Sequence, residues 1–267
     1  MRAVVPCPVL PLLLRPEEDG ERSDELLLGM EAEVLDTPRP GWLRVRTPYR
    51  YTGFVPAHRL LRGRSANPWA RRPKAVVSAA LCDVLSAPGL QAPLLLSLTR
   101  GALLSPTGAP EEGWQGTLLP GGRLGYVRAD SLAPWPPPPV REEQALRRQL
   151  ADTALSYLGA PYRWGGKTPL GIDCSGLVSM AYLLNGVVIC RDARLEPGFP
   201  VRPVPFPALD VGDLLYFPGH VAMYLGNGQF IHATARDGAV AVGSLEPDGP
   251  GYRPDLAGQI TACGTVF

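Results

Sequence analysis

Cys174 lies in Gly171-Ile172-Asp173-Cys174-Ser175-Gly176-Leu177-Val178, a setting suited to a nucleophile. Asp173 is a natural helix N-cap, and Leu177, Val178, Ala181 and Leu184 share one face of a helix that Gly186 stops. The thiol then sits at a helix N-terminus, where unpaired N–H groups and the dipole favour an anion. A cysteine pKa there drops from about 8.5 toward roughly 3.5–7.5. A cysteine on an apolar helix is ordinarily an inert core residue. The small polar flanks here predict an exposed, reactive one.

A thiol nucleophile needs a base, and the chain has three histidines, His58, His220 and His232. His220 opens the strand-like run Gly219-His220-Val221-Ala222-Met223-Tyr224-Leu225, and His232 lies in Gln229-Phe230-Ile231-His232-Ala233-Thr234. Gly226-Asn227-Gly228 joins them as a hairpin. Register decides whether they cooperate, because a slip of one residue turns every side chain to the other face. A two-residue turn at Asn227-Gly228 pairs His232 with Met223 and separates the histidines. A three-residue loop, Gly226 to Gly228, pairs it with Ala222 and sets both on one face, roughly 7–8 Å apart. Glycines at both loop ends favour the second. His220 is then the base and His232 the group that orients it. His58 reads as a surface residue.

The elements that must hold these groups fall into two kinds. The opening 65 residues recur at an offset of 72: Ala3-Val4-Val5 as Ala75-Val76-Val77, Pro16 as Pro88, Gly29 as Gly101, Gly41-Trp42 as Gly113-Trp114, Gly53-Phe54-Val55 as Gly125-Tyr126-Val127, and Leu60 as Leu132. Each unit reads as short strands between Gly/Pro turns, with no helical period. Ala133-Pro134-Trp135-Pro136-Pro137-Pro138-Pro139 then predicts a semi-rigid linker over residues 134–141. Beyond it, Glu142-Glu143 open a helix whose face is Leu146, Leu150, Ala154, Tyr157 and Leu158, ended by Gly159 and Pro161.

Composition excludes several functions. The chain has 267 residues, 45% hydrophobic and 19% charged, which is the profile of a core-forming protein. A net charge of +1 offers no field for polyanions, so nucleic acid and anionic membrane are not expected partners. Nowhere do about 18 apolar residues run uninterrupted, so no membrane span is expected. Five cysteines without C-x-x-C spacing predict neither a disulfide framework nor zinc, and no metal or cofactor is implied. Three prolines interrupt the apolar start and no small-residue cleavage site follows it. A cytoplasmic location is expected, with secretion as the alternative if a leader has been removed.

Tyr162-Arg163-Trp164-Gly165-Gly166, Asp173-Cys174-Ser175-Gly176-Leu177-Val178, Gly212-Asp213-Leu214-Leu215-Tyr216-Phe217, Gly219-His220-Val221-Ala222-Met223-Tyr224 and Phe230-Ile231-His232-Ala233, in this order, resemble the NlpC-type (NlpC/p60) papain-like cysteine peptidases over residues 143–267. The paired repeats, with their Gly-Trp and Gly-(Phe/Tyr)-Val blocks, look like bacterial SH3-like barrels. The resemblance implies an α+β chain: SH3-like domains at 1–65 and 72–133, then a papain-like peptidase at 142–267. It extends to the γ-D-glutamyl-L-diamino-acid endopeptidases that trim murein peptides. By it Cys174 is the nucleophile, His220 the base and His232 the third member, with Tyr162 at the oxyanion. Asp173 holds the amine of an N-terminal L-Ala, Ser175 and Trp164 line that pocket, and Tyr51 or Tyr49 closes it. Relatives commonly carry Arg-Asp-Ala-Ser where this chain has Arg191-Asp192-Ala193-Arg194, so Arg194 is expected to add bulk and charge to the pocket. The implied partner is a short murein peptide. The alternatives are a secreted hydrolase of polymeric wall and a catalytically silent muropeptide-binding protein.

Overall fold

The computed structural model describes residues 1–267, the side chains of Ser65 and Asn67 excepted. The chain divides into two compact units, Met1–Pro138 and Pro139–Phe267.

The first unit holds two seven-stranded antiparallel sheets. One contains β1 (Arg2–Val4), β2 (Val9–Leu13), β3 (Arg22–Leu27), β4 (Glu31–Arg39), β5 (Trp42–Arg46), β6 (Thr52–Pro56) and β7 (Leu61–Arg62). After the one-turn helix α1 (Asn67–Ala70) come β8 (Lys74–Val77), β9 (Leu81–Leu85), β10 (Leu94–Thr99), β11 (Leu103–Pro106), β12 (Trp114–Leu118), β13 (Leu124–Arg128) and β14 (Leu132–Trp135). The strand orders are β3-β2-β6-β5-β4-β1-β7 and β10-β9-β13-β12-β11-β8-β14, the same path twice. The 72-residue offset persists down to single bonds. Ala57 N–H donates to Gly41 O at 2.8 Å, and Ala129 N–H to Gly113 O at 2.9 Å.

Three features depart from the sequence-based expectation. Residues between the repeats form α1, whose Trp69 is buried and donates from its indole to Gly29 O at 3.0 Å. The two sheets also share a core: Leu28 packs with Val77, Val84, Leu98, Leu104 and Val127, and Leu103 N–H donates to Leu28 O. Gly29 makes this approach possible, since a Cβ there would lie 2.4 Å from Leu103 O. Finally, the linker expected over 134–141 starts inside β14, where Pro134 pairs with Ala75 and Trp135 with Lys74. β14 is an edge strand, the one place a sheet tolerates proline.

The second unit is α+β. It contains α2 (Glu143–Leu155), β15 (Lys167–Thr168), β16 (Gly171–Ile172), α3 (Cys174–Leu184), β17 (Arg202–Pro203), β18 (Leu214–Phe217), β19 (His220–Gly226), β20 (Gln229–Thr234), β21 (Ala239–Ser244) and β22 (Ala262–Thr265). A six-stranded antiparallel sheet runs β17-β22-β18-β19-β20-β21, with Leu215, Phe217, Ala222, Phe230 and Cys263 in one core cluster. Glu142 caps α2 by accepting from the Gln144 and Ala145 N–H groups. Arg147 on its inner face donates to Asp213 at 2.9 Å, just before β18. The helix ends three residues earlier than its apolar period suggests. Leu158 is exposed, because the chain turns at Ser156–Gly159 to pair with β21. No described helix is long and apolar enough to cross a membrane.

Candidate active site

α3 starts where the sequence places it. Asp173 is the N-cap, its Oδ1 accepting from Gly176 N–H at 2.6 Å. The first turn lies hard against the Tyr162–Gly166 loop: a Cβ on Gly176 would stand 2.2 Å from Gly166 O. That contact explains the glycine two residues after Cys174 and fixes the loop beside the thiol.

Asp173 does more than cap. Its Oδ2 accepts from Gly165 N–H at 2.8 Å, and Arg191 bridges both oxygens at 3.0 and 3.1 Å. Ser175 Oγ donates to Oδ1 and accepts from Arg191 Nη1 at 2.7 Å. Asp173 and Ser175 are thus buried and hydrogen-bonded to a guanidinium within the protein, a pairing their sequence-based reading as amine ligands did not include. Arg191, which the sequence placed only next to Arg194, joins the site as the partner of Asp173. The signal was available, since a buried acid beside a nucleophile needs a cation.

Cys174 itself is buried, not exposed as expected. Burial, and then the Asp173 charge, push its thiol pKa up. Hydrogen bonds from the Val221 and Ser175 N–H groups and the Arg191 charge pull it down without reversing the shift. Val221 adjoins His220, so the sulfur reaches the first residues of β19. Tyr162 is half-buried nearby. Burial and then the Cys174 and Asp173 charges raise its pKa, which keeps the phenol protonated as a donor.

The histidines meet through a device different from the expected one. Gly226 pairs with Gln229 across a two-residue turn at Asn227 and Gly228, both with positive φ. A bulge between Tyr224 and Gly226 absorbs one residue, so Tyr224 pairs with Phe230 and Met223 with Ile231. Continued one step, this sets Ala222 opposite His232 and brings both histidines to one face. His220 Nε2 lies 2.8 Å from His232 Nδ1. Burial, then the Arg253 charge, lowers the His220 pKa to about 4. Burial, then His220 and Arg253, lowers that of His232 to about 3.

Trp164 is 61% exposed. The Arg194 guanidinium is exposed and paired with Glu196 at 2.7 Å and Asp192 at 3.4 Å, so its charge is answered within its own loop. In the first unit, Tyr49 and Tyr51 lie in the tight turn between β5 and β6, closed by Arg50 at φ 65°. Tyr49 is buried with its hydroxyl 2.5 Å from Asp24 Oδ2, and Tyr51 is half-buried. His58 is exposed, in the turn after β6. Among the described residues no His/Cys/Asp/Glu group is arranged to hold a metal.

The NlpC/P60 family model matches residues 159–256, the span from the Tyr162 loop through the histidine hairpin. Dipeptidyl-peptidase 6 of Lysinibacillus sphaericus is 41% identical over 271 residues, covering 100% of both chains. The gamma-D-glutamyl-L-lysine dipeptidyl-peptidase of Bacillus cereus is 31% identical over 154 residues, 53% of this chain and 44% of that protein. A crystal structure of an NlpC/P60 family protein from Bacillus cereus superposes with a TM-score of 0.79 over 98% of each chain. At 21% identity that likeness speaks for the fold alone. The full-length similarity and the matched span agree: this chain belongs to the NlpC/P60 family.

Proposed function

We propose that this chain is a cysteine peptidase that releases L-Ala-γ-D-Glu from short murein peptides by cutting between γ-D-Glu and the diamino acid. The observation that carries it is the placement of Cys174 at the N-terminus of α3, its sulfur bonded to the N–H next to His220, with His232 2.8 Å behind that ring. The names of the two dipeptidyl-peptidases it resembles support the substrate class.

In the reaction the Cys174 thiol gives its proton to His220 and its sulfur bonds to the γ-carbonyl carbon of D-Glu. The Tyr162 phenol donates to the oxyanion. The C–N bond then breaks, and His220 passes the proton to the departing amine. Water adds to the thioester, freeing the dipeptide acid and restoring the thiol. His232 orients His220, and the exposed Trp164 lines the substrate groove. The two sheets of the first unit are SH3-like barrels, residues 1–65 and 72–135, the second carried two residues past the expected bound by β14. The linker shortens to 136–141 once β14 takes Pro134 and Trp135, and the peptidase domain is 142–267.

Product analysis on L-Ala-γ-D-Glu-L-Lys, its diaminopimelate analogue and their N-acetylated forms tests this reading. Dipeptide release by the wild type, abolished in Cys174→Ala, is expected. Acetylation should slow it at least about tenfold, the loss of one charge-assisted hydrogen bond from the substrate amine to the Asp173 carboxylate. Equal turnover of acetylated peptides, or faster release from polymeric murein, would transfer the assignment to a wall hydrolase.

A further inference from the structure

His232 has a polar partner on each ring nitrogen. Its Nδ1 meets His220 Nε2 at 2.8 Å, and its Nε2 lies 3.0 Å from Arg253 Nη1. Arg253 is buried and held from behind. Asp255 grips Nε and Nη2 at 2.8 and 2.7 Å, and Asp237 accepts from Nη1 at 3.2 Å. Arg236 in turn pairs with Asp255 at 2.8 Å.

We propose that Arg253 is a positioning residue of the histidine pair: it fixes the resting proton of His232 on Nδ1 and so keeps His220 neutral until that contact is released. A guanidinium has only N–H donors and does not deprotonate in proteins. His232 Nε2 must therefore present a lone pair, and a neutral ring then carries its proton on Nδ1. That N–H donates to His220 Nε2, which accepts, so the proton of a neutral His220 sits on Nδ1. An imidazolium at His220 needs a second proton on Nε2, pointing at the Nδ1–H of His232. To accept it, His232 would have to move its proton to Nε2, against the guanidinium.

The surrounding charges come from several elements. Cys174, with Asp173 and Arg191 behind it, lies at the start of α3, and Tyr162 is on the preceding loop. Asp237 and Arg236 are on the turn before β21, and Arg253 and Asp255 follow it. Of these, Arg253 alone bonds to the histidine pair. Reversal of one tautomer thus separates a resting thiol–imidazole site from a thiolate–imidazolium one.

The proposal deepens the peptidase reading, but its first test is independent of substrate. Long-range ¹H–¹⁵N correlation NMR on the full-length protein, with His58→Gln to assign the three rings, reports which nitrogen of His232 is protonated. Nδ1–H is expected in the wild type and in Arg253→Lys, and Nε2–H in Arg253→Met. In kinetics, loss of the guanidinium should move the alkaline limb of kcat/KM upward by about one pH unit or more, with Arg253→Lys near wild type. If Arg253→Met does not fold, Asp255→Asn, which loosens the fork, should move tautomer and limb the same way. Nε2–H on His232 in the wild type overturns the proposal, as does an unchanged tautomer in the variants. A wild type that turns over no murein peptide sinks the peptidase reading while the NMR result stands.

Discussion

A thiol at a helix N-terminus gains from unpaired N–H groups, yet the turn that supplies them also takes Cys174 out of water, beside a carboxylate. The net shift is upward, so the resting thiol is protonated at neutral pH. Alkylation by iodoacetamide, followed by peptide mapping against the other four cysteines, should therefore accelerate at Cys174 only as pH rises past the ordinary thiol value of about 8.5. A rate already at its plateau below pH 7 would contradict this. Asp173 has a comparable lesson. Paired to a buried guanidinium and to two backbone N–H groups, it is a structural acid, and its loss strands Arg191. Asp173→Asn and Arg191→Met should each cost about 3–5 kcal/mol in urea unfolding, the double variant less than their sum. A change confined to KM in a fully stable Asp173→Asn would make substrate binding, not scaffolding, its main role.

At the scale of elements, much of the site was legible. The α3 N-cap, the helix face and the histidine strands follow from Asp173, from Leu177 and Val178, and from alternation around His220 and His232. The register was reached by a wrong route: the turn has two residues, and a bulge supplies the shift that a third loop residue was expected to supply. Bulges leave little local signature, because their cause lies in pairing across the sheet. Arg253 was illegible for a related reason, being 21 residues beyond its partner and joined to it only by folding. Deletions test the bulge. Removing Leu225 yields a regular hairpin that still sets Ala222 opposite His232, so activity should stay within about tenfold of wild type. Removing Gln229 moves His232 out of reach of His220 and should cost at least about a hundredfold, the worth of a positioned base. Equal damage from both deletions would show that the bulge does not set the register.

For the whole molecule, the repeat was legible because glycines at tight turns recur whatever happens between them. The bonding of the two repeats to each other was not. Leu28 belongs by sequence to the first copy but completes the core of the second, with Gly29 and Trp69 stitched at the same junction. A pair of independent beads would open separately. A shared leucine couples their opening, since unfolding the first sheet withdraws Leu28 and leaves a leucine-sized hole in the core of the second. Native-state hydrogen exchange should thus give the amides of Val45 and Val127 the same opening free energy, and Leu28→Ala should lower both by about 2–5 kcal/mol. Protection lost at Val127 alone would make the copies independent. With Leu28 lodged in the second core, the two copies are expected to open as one unit, and a lesion in the first should be felt in the second.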